Sequence, residues 1–109
     1  MSTFTSVLNS GTSPANTMFF GGTNNTLVIT ESSPPSAAFT SSSRVSLSYS
    51  TTGVTYNFSS VSVTSFTSTT LTVSFHVSAA SGTAAGGGTL HISITAPTQN
   101  LNLQIPADQ

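Results

Sequence analysis

The chain has no cysteine, no tryptophan and no lysine, and only three of its 109 residues carry a fixed charge: Glu31, Arg44 and Asp108. An ordinary soluble domain is about 25% charged. Without cysteine there is no disulfide framework and no thiolate metal site. A single arginine cannot neutralise several phosphates, so a nucleic-acid partner is excluded. No apolar run reaches five residues, far short of the roughly 20 that a membrane helix needs, so no membrane insertion is expected. The first ten residues, MSTFTSVLNS, carry no basic stretch, no apolar core and no small-residue cleavage site, so they do not read as a signal peptide. This leaves two origins open: a protein made in the cytoplasm, or an exported domain without its leader.

What the chain has instead is hydroxyls. Serine and threonine together fill 42 of 109 positions, while apolar residues, at 36%, are few but sufficient for one small core. They fall in a period-two pattern. Val45, Leu47 and Tyr49 alternate with serines. Val54, Tyr56 and Phe58 alternate with Thr55 and Asn57, and Val61 and Val63 flank Ser62. Leu71, Val73, Phe75 and Val77 alternate with Thr72, Ser74 and His76. Leu90, Ile92 and Ile94 alternate with His91 and Ser93, and Leu101, Leu103 and Ile105 with Asn102 and Gln104. Alternation of this kind makes half-buried strands with the apolar side inward. Thr26–Thr30 (TLVIT) is more continuously apolar and suits a central strand. Gly21-Gly22, Pro34-Pro35, Thr52-Gly53, Gly82, Gly86–Gly88 and Pro97 punctuate the runs, and no window shows helical spacing. Seven or eight short strands at this spacing predict an all-β, antiparallel two-sheet sandwich of the immunoglobulin-like class over residues 17–109. Residues 1–16 read either as an N-terminal arm or as its first strand.

From Thr26 onward the order of elements resembles a bacterial or phage immunoglobulin-like domain of the IPT/TIG kind. The stretches that carry the resemblance are GGTNNTLVITE (residues 21–31), VSVTSFTSTTLTV (residues 61–73), AASGTAAGGGTLHISITAP (residues 79–97) and Leu101–Ile105. It covers residues 17–105. The family has a glycine after its first T-I-T strand, followed by an aromatic residue, whereas here Glu31 and two serines follow. The resemblance implies a structural or binding module, as in cell-surface, polysaccharide-associated and phage virion proteins, and brings no catalytic residues with it.

Candidate chemistry is sparse. His76 and His91 occupy polar positions of two strands and should point outward, with only Glu31 and Asp108 as acidic company, too few ligands for a metal site. No serine stands in a nucleophile elbow and no pair of carboxylates can be placed together, so no catalytic residue, no metal and no cofactor is expected. Gly86–Gly88 leads into a strand and lacks a lysine, which makes it a turn and not a phosphate loop. Sugars are held by aromatic platforms beside amides and hydroxyls, and the candidates for such a site are Phe19, Phe20, Asn24, Asn25 and Tyr56. Tyr56 and Tyr49 are also in phase with core residues.

Natural sheets guard exposed edges with lysine, inward charge, proline or bulges. Here lysine is missing, and Leu71–Val77 would favour edge-to-edge pairing if exposed. The expectation is therefore a non-enzymatic structural module, either a homo-oligomer or part of a larger assembly, in a virion or at an extracellular or cell surface. A carbohydrate-binding or adhesin module, with a glycan as partner, is the alternative.

Overall fold

The computed structural model describes residues 3–11, 15–19, 24–32, 39–50, 55–81, 88–96 and 98–106. Among these residues seven strands form: β1 (Thr3–Leu8), β2 (Asn25–Ser32), β3 (Arg44–Ser50), β4 (Thr55–Phe66), β5 (Thr70–Ser81), β6 (Gly88–Thr95) and β7 (Gln99–Ile105). They make two antiparallel sheets with strand orders β1-β2-β5-β4 and β3-β6-β7. Lettered A to G in chain order, these sheets are ABED and CFG, the constant-type immunoglobulin arrangement. The sandwich that alternation predicts is therefore what forms, with seven strands.

Two placements sharpen the sequence reading. Thr3–Leu8 is the edge strand of the four-stranded sheet, paired residue for residue with β2. Leu71–Val77 lies in β5, between β2 and β4, so its backbone is laddered on both sides and is not an exposed edge.

The core follows from the alternation. Leu27 and Ile29 of β2, Leu71, Val73, Phe75 and Val77 of β5, and Leu90, Ile92 and Ile94 of β6 are all buried, and Leu8, Met18, Phe39 and Ile105 close the ends. With no tryptophan or cysteine in the chain, aliphatic and phenylalanine side chains make up most of this core. Tyr49 and Tyr56 pack against this core, with ring centroids 4.9 Å apart and planes at 80°, as their phase with core residues predicts.

β4 departs from simple alternation. Its inward residues are Tyr56, Phe58, Val61, Val63 and Phe66, with spacings of two, three, two and three. The ladder shows why: Phe58 faces Val77, Val63 faces Val73 and Phe66 faces Leu71, with register shifts between Ser59 and Ser62 and between Val63 and Ser65. Each shift inserts one extra residue in β4, a bulge that returns the next apolar residue to the inner face. Ser60, inside the first shift, sits at φ 54°, in the left-handed region.

The molecule measures 41 × 24 × 22 Å. Register defines its two ends. Asn25, Tyr49, Tyr56 and Ile105 lie towards one end, and Glu31, Arg44, Thr95 and Phe66 lie towards the other.

Candidate functional site

The β1–β2 connection is organised by three asparagines. Asn25 is fully buried at the start of β2. Its Oδ1 accepts from the Phe19 N–H at 2.8 Å, and its Nδ2 donates to the Phe19 carbonyl at 2.7 Å. Asn9 Nδ2 donates both to Asn25 Oδ1 and to the Thr17 carbonyl, each at 2.8 Å, while Asn9 Oδ1 accepts from the Thr26 N–H. Asn16 Oδ1 takes the Leu8 N–H at 2.9 Å. Asn9 and Asn16 have φ values of 48° and 66°, a conformation that asparagine adopts more readily than most residues with a side chain. These side chains satisfy the main chain of a connection that has no ladder of its own, and they fix where Phe19 stands.

Phe19 is half-buried and lines an open notch with Asn9, Ser10, Thr26 and Val28 on the outer side of β2. Of the predicted sugar-site residues, Phe19 and Asn25 are thus brought together, but in different roles. Asn25 is fully buried, and its amide is engaged by the Phe19 main chain and the Asn9 side chain. Asn24 is exposed and accepts from the Ser74 hydroxyl. Tyr56 lies elsewhere, against Tyr49 between the sheets. Phe20 lies outside the described residues. Asn9 and Asn16, which hold this connection, carry no periodic signal, and no motif in the sequence marks them.

The two histidines cannot share a site. His76 alternates with buried residues of β5 and faces out from the four-stranded sheet. His91 does the same on β6, on the opposite outer face. His91 Nδ1 is hydrogen-bonded to Asn102 Oδ1 at 2.8 Å, within an open dish whose polar lining includes Ser46, Ser48, Ser93 and Asn100. Glu31 is 3% exposed on the inner side of β2, its N–H donating to the Thr69 carbonyl at 2.8 Å. Among the described residues no three His, Cys, Asp or Glu side chains come together in a way that could hold a metal.

A third depression runs along β4 beyond its first bulge, lined by consecutive residues from Val61 to Phe66, three apolar and three hydroxyl-bearing, with Ser41 and Arg44. Arg44 Nη1 donates to the Ser41 and Ser43 carbonyls at 2.9 and 2.7 Å, which fixes the guanidinium at this end of the molecule. Among the described outward-facing side chains of β1–β7, Arg44 is the only fixed charge.

The fold defines the class of protein, an immunoglobulin-like β-sandwich of constant-type strand order. No family model, no curated protein and no solved structure matches the chain.

Proposed function

We propose that this domain is a non-enzymatic structural module that works as a subunit of a homo-oligomer or larger particle, in a virion or on a cell surface. The observation that carries the reading is the β1 edge. Its six residues, TFTSVL, contain no charge and no proline and pair with β2 without a register shift. The other edge of the same sheet, β4, is twisted by its bulges, one of the devices that blunt an edge. Asn9 continues the ladder to Thr26 through its N–H. Antiparallel alternation then turns the main-chain groups of Phe4, Ser6 and Leu8 away from β2. Asn16 caps the Leu8 N–H, which leaves the Phe4 and Ser6 groups along the open edge, beside Val7 at 46% exposure. The weak resemblance to IPT/TIG-type domains agrees with such a role.

Light scattering coupled to size exclusion, over a hundredfold concentration range in about 0.5 M salt, tests this. The expected species is larger than the 11.1 kDa chain and persists in salt, because backbone pairing is little screened. Ser6→Pro removes an outward N–H without breaking the ladder to β2, so a folded monomer should result. A wild-type chain that is monomeric throughout overturns the reading.

A second reading, a carbohydrate-binding or adhesin module, is favoured by one observation: buried amides hold an aromatic residue beside the hydroxyls of Ser10 and Thr26. A neutral glycan suits a surface with so little charge. On a glycan array this reading expects saturable binding to one glycan class, lost in Phe19→Ala with an unchanged circular dichroism spectrum. Binding that survives Phe19→Ala removes the notch from consideration.

A further inference from the structure

We infer that copies of this chain join head to tail, the segment that follows β7 in one copy seating in the Arg44–Phe66 groove of the next. The inference rests on the assembly reading and adds a second, longitudinal contact to the β1 edge.

The groove exists because of β4. Its two bulges keep Val61, Val63 and Phe66 on the inner side, yet Phe66 remains 44% exposed. The guanidinium at its rim is the only fixed cation of the whole chain. A lining of three apolar side chains, four hydroxyls and one arginine fits an extended segment that carries apolar residues and one acid.

The chain contains such a segment. β7 ends at Ile105, which pairs with Gly88 at the Tyr49 end of the molecule, opposite Arg44. The exposed Pro106 follows, then Ala107 and Asp108. Asp108 is the only acid besides Glu31, and Glu31 is buried. Arg44 thus stands at one end of the molecule, and the segment whose sequence holds the remaining acid leaves β7 at the other. Proline and alanine before the acid suit the apolar side chains of the lining, an aromatic ring among them.

Asp108 cannot serve its own groove. Gly88, beside Ile105, and Thr95, beside Arg44, are seven residues apart on β6, about 23 Å at the strand rise. Three residues beyond Ile105 reach at most about 11 Å. The contact is therefore between copies. It is also heterologous, leaving one groove and one segment unsatisfied at the two ends of every chain of copies, so it grows until a ring closes.

Charge exchange in the full chain tests this. Sedimentation velocity in about 0.02 M salt is compared for wild type, Arg44→Asp, Asp108→Arg and the double exchange. Each single reversal is expected to weaken association about fivefold, the upper range for an exposed ion pair, and the double exchange to restore it to within about twofold. Phe66→Ser is expected to weaken it about tenfold. Raising salt to about 1 M, where the screening length is about 3 Å, should reduce wild type to the edge-paired species alone. Association that is the same in all four charge variants overturns the head-to-tail contact while leaving β1 pairing standing. Singles that weaken without rescue by the exchange also overturn it. A wild-type monomer at every concentration and salt removes both.

Discussion

Deletion of Ser62 is expected to lower the unfolding free energy by about 4 kcal/mol, whereas deletion of Ser60 is expected to leave the fold standing within about 1 kcal/mol of wild type. The reason is phase. Tyr56 and Phe58 face inward at even positions and Val61 and Val63 at odd ones, and the bulge around Ser60 is what reconciles them with the evenly spaced Val77, Phe75 and Val73 of β5. Removing Ser60 leaves Tyr56, Phe58, Val61 and Val63 at every second position, in phase with β5 without a bulge. Removing Ser62 instead puts Val63 directly after Val61, so one valine turns outward and a hydroxyl turns inward, since a one-residue slip exchanges the faces of a strand. Burying a valine contributes about 1.5 kcal/mol or more, and an unpartnered hydroxyl brought into the core costs about 1–3 kcal/mol. A domain of this length has about 5–16 kcal/mol in total. Ser60→Gly separates geometry from sequence: relief of the left-handed conformation, about 1–2 kcal/mol, outweighs the added chain entropy of glycine, about 0.5–1 kcal/mol. That variant should be more stable than wild type by about 0.5 kcal/mol. Urea titration followed by circular dichroism reads all three variants, and a Ser62 deletion with the wild-type midpoint would show that the ladder to β5 does not set the phase.

The same strand marks the boundary of what the sequence makes legible. Period-two alternation identifies the strands around Val45, Leu71, Leu90 and Leu101, places TLVIT inside a sheet, and assigns Tyr49 and Tyr56 to the core. Each is a local property of one strand, readable because the sandwich buries only one face of it. It reads Tyr56–Phe58 and Val61–Val63 as separate runs, because the three-residue gap between Phe58 and Val61 looks the same whether a turn or a bulge fills it. Only the partner strand decides, and partners are not local. The same limit explains the site. Asn9, Asn16 and Asn25 are spread over 17 positions and act together only once β1 lies beside β2, so no motif in the sequence joins them. The separation of Arg44 from the end of β7 is likewise invisible until register shows that β3 begins at one end of the molecule and β7 finishes at the other.

Asn25→Ala is expected to destabilise the fold by about 3 kcal/mol, out of proportion to the small side chain removed. Three polar groups lose partners at once: the N–H and carbonyl of Phe19 and one Nδ2 hydrogen of Asn9. Each buried donor or acceptor left unmade costs about 1–3 kcal/mol, and water entering the notch at half-buried Phe19 recovers part of that. Asn25→Asp distinguishes hydrogen-bond topology from volume. A carboxylate still accepts from the Phe19 and Asn9 N–H groups but cannot donate to the Phe19 carbonyl, and it places a charge where the side chain is fully buried. Asp should therefore be at least as damaging as Ala near neutral pH, despite its closer shape. Thermal unfolding of the two variants beside wild type gives the comparison. If Asn25 were instead a surface ligand contact, both substitutions would leave stability within about 0.5 kcal/mol of wild type. A shift of the expected size, with amide protection lost first around Leu8 and Phe19, ties the cost to the asparagine clasp and explains why a domain with so few strong interactions places three amides in one connection.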